Sequence, residues 1–88
     1  MPVSNLSLVE RIARIIAARV VSINATGDDP SAAARVDECW RYYRSDAMSV
    51  IRTLREPDPA MADAGDVAMW ERMVGAALAE AEAEAHPS

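Results

Sequence analysis

Residues 36–57 read VDECWRYYRSDAMSVIRTLREP, and within them Val36, Trp40, Tyr43, Ala47, Ile51 and Leu54 recur every three or four positions until Pro57. That spacing puts all six side chains on one face of a helix. Trp40 and Tyr43 are two of the chain's four aromatic residues, so the core is expected to form around this face. Pro57 and Pro59 end the helix, since proline donates no N–H and its ring clashes with the preceding turn.

Toward the N-terminus, Ser7-Leu8-Val9-Glu10 fits a capping box that starts a helix over Leu8–Asn24, with Ser7 as N-cap and Glu10 reaching back to it. Its apolar stripe is Val9, Ile12, Ile16, Val20 and Ile23, widened by Leu8 and Ile15. Gly27 is the expected C-cap. Asp29 and Pro30 then form the N-cap and first position of the second helix, which the unbroken stripe carries over 30–55. Asp37 with Arg41 and Arg52 with Glu56 are spaced as i,i+4 pairs.

Toward the C-terminus, residues 59–64 form a single turn of helix closed by Gly65. Asp66 caps a third helix whose stripe is Val67, Trp70, Val74, Ala77, Leu78 and Ala81. The Glu-Ala alternation after Glu80 runs on helically. Residues 1–6 and 83–88 are expected to fray. The fold class is all-α: a small three-helix bundle with a short Pro-bounded turn between its second and third helices, forming one domain over 1–88. The expected core is Ile12, Ile16, Val36, Trp40, Tyr43, Ile51, Leu54, Trp70 and Val74.

Composition agrees with this class. Of 88 residues, 51% are hydrophobic, but eighteen are alanine and none is phenylalanine. Such a mixture suits helices in close approach better than a β-sandwich, which draws on β-branched and aromatic residues. Lysine is absent and all nine basic residues are arginine, most plainly the mark of a GC-rich coding sequence.

The net charge is −5, unevenly distributed. Residues 1–26 carry +2 and residues 30–56 carry +1, whereas residues 57–88 carry −6. Direct nucleic-acid binding is not expected of such a chain, because it needs a basic face to displace counterions from phosphates. A basic protein partner is compatible with it. The single Cys39 has no intramolecular partner, which fits a reducing compartment. Glu10, Arg11, Arg14 and Arg19 interrupt the one apolar stretch near the start, so neither a signal peptide nor a membrane span is read. The expected location is the cytoplasm.

Enzymatic chemistry has little to stand on. A catalytic cysteine needs a base beside it, and the only histidine, His86, sits far along the chain from Cys39. Ligand spacing for zinc, the glycine and terminal glutamate of a calcium loop, and a glycine-rich phosphate loop are all missing. No enzyme activity, metal or cofactor is expected. Met48, Met61, Met69 and Met73 are adaptable contacts, and Met69, on the far side of the third helix from Val67 and Val74, is expected to be exposed.

Arg19 is out of place among apolar neighbours on the first helix. It either snorkels or pairs with a carboxylate such as Glu71, or it faces a partner. The first helix is also apolar over more than half its circumference, which is met by a central position in its own domain or by pairing with a second copy.

Several motifs carry a resemblance: Trp40-Arg41-Tyr42-Tyr43-Arg44, residues 51–57 (IRTLREP), Ala60-Met61 with Ala64-Gly65, and Trp70-Glu71-Arg72-Met73-Val74 leading into Ala76-Ala77-Leu78. Over residues 40–78, somewhat under half the chain, the sequence resembles small helical proteins encoded in phages and prophages of GC-rich proteobacteria. The resemblance implies an accessory gene of a mobile element, and such genes include small inhibitors of host machinery such as anti-CRISPR proteins. It supplies no catalytic residue. The expected function is a non-enzymatic interaction module that inhibits a host nucleic-acid-handling or defence complex. The expected contact residues are Arg19, Asp58, Asp63, Asp66, Glu71, Glu80, Glu82 and Glu84, the acids offering negative charge to a basic channel. The alternative is a self-associating structural or regulatory module, a homodimer through the first helix.

Overall fold

A computed structural model describes residues 3–24 and 32–85. The chain folds as α1 (Leu8–Asn24), α2 (Ala32–Cys39), a 3-10 turn (Trp40–Tyr43), α3 (Arg44–Leu54), α4 (Pro59–Ala64) and α5 (Val67–Ala85). No strand occurs among the described residues. The fold is all-α.

Local chemistry explains the boundaries. The Ser7 hydroxyl accepts from the Glu10 backbone N–H at 3.2 Å, satisfying one of the four orphan donors at the start of α1. The reciprocal half of the expected capping box is not made. The Glu10 carboxylate turns forward instead and accepts from Arg14 Nε at 2.8 Å. Asp58 caps α4 by accepting from the Met61 N–H at 2.9 Å, with Pro59 inside the first turn. Asp66 caps α5 by accepting from the Met69 N–H at 3.1 Å. Residues 83–85, expected at a fraying end, are helical in α5. The expected caps at Gly27 and Asp29-Pro30 lie outside the described residues.

The single helix expected over 30–55 is divided. Trp40–Tyr43 tighten into a 3-10 turn between α2 and α3. A 3-10 turn advances about 120° per residue rather than about 100°, so four residues re-aim α3 by roughly 80°. Trp40 stays buried through that adjustment, and α2, the turn and α3 all pack against α1.

The core also differs from expectation on α1. Its buried row is Val9, Ala13, Ala17 and Val21, one position along from the Ile12, Ile16 and Val20 row. Ile12 and Ile16 are only partly buried, and Ile15 is 64% exposed. The physical reason is size: alanines let the neighbouring backbone approach closely and leave room for the Trp40 indole in the same cluster. Trp40, Ile51 and Val74 are buried as expected and are joined by Ala47, Leu78 and Ala81. Val36, Tyr43 and Trp70 pack against this cluster from its edge. Leu54, expected inside, is 37% exposed.

What Leu54 contributes is its backbone. Trp70 Nε1 donates to the Leu54 carbonyl at 2.7 Å, satisfying one of the acceptors left open at the end of α3 and pinning the start of α5 to it. The Cα radius of gyration is 15.4 Å, against about 12 Å for a compact chain of this length.

Three substitutions test this account. Ala13→Leu is expected to cost about 1–3 kcal/mol by overpacking, whereas Ile15→Ala stays within about 0.5 kcal/mol, both measured by urea denaturation. The opposite ranking would place the isoleucine row in the core. Trp70→Phe, which keeps the ring and removes the donor, is expected to cost about 0.5–1.5 kcal/mol.

Candidate functional site

The acidic residues do not form one face. Asp58 and Asp66 serve as N-caps. Glu84 accepts from Arg44 Nη2 at 2.6 Å, tying α5 to α3. Asp63, Glu71, Glu80 and Glu82 are exposed and make no ion pair among the described residues. At about 100° per residue, Glu80 and Glu84 flank one side of the buried strip of α5, and Glu71 and Glu82 flank the other. Arg19 is exposed on α1 and pairs with neither Glu71 nor any other carboxylate among the described residues.

Three arginines surround one buried indole. The guanidinium carbons of Arg14, Arg41 and Arg44 lie 5.2, 4.7 and 5.7 Å from the Trp40 ring centroid. Arg14 also donates to Asp37 at 2.6 Å, so Asp37 reaches across to α1 rather than along its own helix to Arg41. Asp37 first, and then Glu10, hold the Arg14 guanidinium above its ordinary pKa. Arg44 Nε is buried without a partner. With Glu10, Asp37 and Glu84 balancing the three positive charges, this cluster joins α1, α2, α3 and α5. Its contacts clamp these helices together.

The open site lies at the corner between α4 and α5. Pro57 and Pro59 stop α3, the short α4 follows, and Gly65-Asp66 turn the chain into α5. The Trp70 indole, held by the Leu54 carbonyl, packs into the inside of that corner. Pro57, Met61, Val67, Met69, Trp70 and Met73 line a groove of about 350 Å³, with Asp66 at its edge. Met61 and Val67 are each 39% exposed, Met69 48% and Met73 62%. Arg72 Nη2 lies 3.6 Å from Met69 Sδ across the surface.

The exposure of Met69 agrees with its phase on the helix. The groove as a whole was not read from the sequence, because its walls come from two helices and the angle between them leaves no periodic signal. The only hint is the pair of helix stops, Pro57-Asp58-Pro59 and Gly65-Asp66, on either side of Met61.

Cys39 is partly buried beside Trp40, and His86 lies outside the described residues. Among the described residues no three His, Cys, Asp or Glu side chains are grouped to hold a metal. No helix among them is long and apolar enough to cross a membrane.

The clamp makes its own prediction. Glu84→Gln is expected to cost less than about 1 kcal/mol, with the loss shrinking at high salt, because the pair is partly exposed. Trp40→Ala is expected to cost about 3–5 kcal/mol, enough to unfold a domain of this size. Thermal melts at two salt concentrations check both.

In comparison with known proteins, no family model, curated protein or solved structure matches the chain.

Proposed function

We propose that this chain is a non-enzymatic protein-interaction module, and that the groove at the α4–α5 corner is its docking surface. The observation that carries this reading is the convergence of Met61, Val67, Met69 and Met73, all exposed, around one open apolar groove. Methionine is unbranched and polarisable, so a methionine-lined groove moulds itself to an apolar anchor from another protein. An apolar surface of this kind remains in water only at a cost, which association removes.

Charge narrows the partner. Asp66 edges the groove, Asp58 caps α4 and Asp63 lies within it, and Glu80 follows Met73 two turns further along the same side of α5. These groups belong to the third of the chain that carries −6, which favours a basic partner surface and repels an acidic one. The residues behind the resemblance to phage and prophage proteins include Pro57, Met61, Trp70 and Met73, which also line the groove. The narrower reading is therefore an accessory protein of a mobile element that inhibits a host nucleic-acid-handling or defence complex by covering one of its basic surfaces. A second reading, self-association through α1, is favoured by the exposure of Ile15 and Arg19.

The test is affinity capture from a nuclease-treated bacterial lysate, comparing the native chain with the double variant Met69→Asp, Met73→Asp. The native chain is expected to retain a nucleic-acid-handling complex and the variant to lose it while keeping its helical circular-dichroism spectrum. Equal capture by both would exclude the groove, since the added negative charge strengthens any purely electrostatic attachment to a basic protein.

A further inference from the structure

α1 carries a flank that its own domain covers only in part: Leu8 and Ile12 pack against the edge of the core cluster, and Ile15 and Arg19 lie open. Leu8, Ile12, Ile15 and Arg19 are spaced by four, three and four residues, which places them along one flank of the helix. Leu8 and Ile12 are partly buried, Ile15 is 64% exposed, and Arg19 is exposed with no ion pair among the described residues. The buried row of Val9, Ala13, Ala17 and Val21 already faces α2, the 3-10 turn and α3. The open part of this flank is thus Ile15, an exposed apolar group, with exposed Arg19 at its far end and exposed Arg11 beside it.

We propose that α1 of a second copy of this chain occupies the methionine-lined groove, with Ile15 as the apolar anchor and Arg19 set against the acidic groups of the α4–α5 corner. The inference rests on the groove being a docking surface and goes beyond it by naming the occupant. Three observations select this occupant. The groove belongs to the segment carrying −6, and the flank to the segment carrying +2. The groove is walled by methionines, which accommodate a β-branched anchor, and a helix flank laid into a groove is a recurrent recognition geometry. Pairing flank with flank is less favourable: it brings Arg11 and Arg19 of both copies together, while Glu10, the one acid of α1, is engaged with Arg14. One contact accounts for the exposed Ile15, for Arg19 without an ion pair among the described residues, and for the open groove together. It also makes self-association compete with any other ligand of the same groove.

Sedimentation of the full chain over a concentration series tests this, using Ile15→Glu and Met73→Glu, each at a position more than half exposed. The native chain is expected to self-associate, more weakly as salt rises. Each variant is expected to weaken association by about thirtyfold or more. An equimolar mixture of the two is expected to regain it, because the intact α1 of one variant meets the intact groove of the other. A native chain that stays monomeric overturns the inference. So does a dimer broken by Ile15→Glu but not by Met73→Glu, which is a flank-to-flank pair, and so does a mixture that fails to recover. A monomeric native chain whose Met69→Asp, Met73→Asp variant still loses its captured complex overturns this inference alone and leaves the groove reading standing.

Discussion

Burial of the Trp40 indole is the constraint on which the rest of the structure depends. It is the largest side chain in the buried cluster, and the chain gives it space by lining α1 with Ala13 and Ala17 and setting Ala47 on α3. The backbone accommodates it by tightening from α to 3-10 geometry at the indole itself. A ring buried this way still has two polarisable faces, and three guanidinium groups lie within reach of it. Cations so close together repel, and Asp37, Glu10 and Glu84 relieve the repulsion from α2, α1 and α5. Each exposed ion pair contributes little alone. Their joint effect is geometric, since they set how the helices sit around the ring.

The second tryptophan makes a different kind of joint. Trp70 is only partly buried, and its pyrrole N–H rather than its area fixes the corner, by satisfying a carbonyl at the end of α3. Because α5 is anchored there and again at Arg44–Glu84, the side of α5 turned away from the core has a defined position. Met69 and Met73 project from that side and Met61 approaches from α4. The groove therefore follows from the corner: with two proline stops followed by a helix of only six residues, too few residues are present to cover the apolar side chains they bring together.

Part of this was legible in the sequence. The helical class, the Ser7 and Asp66 caps, the short helix after the prolines and the burial of Trp40, Ile51 and Val74 all follow from local spacing and cap chemistry. The register of α1 does not. Its apolar residues cover so wide an arc that an isoleucine row and an alanine row both qualify, and only the bulk of Trp40 on another helix decides between them. Asp37 illustrates the same limit, having a suitable partner four residues along yet pairing with Arg14 from α1. Of the candidate contact residues, Asp58 and Asp66 proved to be caps and Glu84 a strut between helices, roles that depend on neighbours brought close by folding. Arg19 reads as misplaced only if the isoleucine row faces the core; with the alanine row there instead, Arg19 lies on the exposed side of α1, with no ion pair among the described residues.

Core geometry also determines what is left on the surface. Alanine is effective at bringing helices close, but it buries little area per residue, and the stability of a small domain rests on total apolar burial. A core built on an alanine row therefore turns larger side chains outward, as at Ile15, while the short α4–α5 corner leaves its methionines uncovered. Both surfaces have the same physical origin, a fold whose tight packing around one indole leaves bulkier apolar groups at the periphery. Their charges are opposite because the acids are concentrated after Pro57 and α1 is arginine-rich. A chain with an apolar basic flank on one helix and an apolar acidic groove on another has a contact available to it that its own tertiary structure does not make.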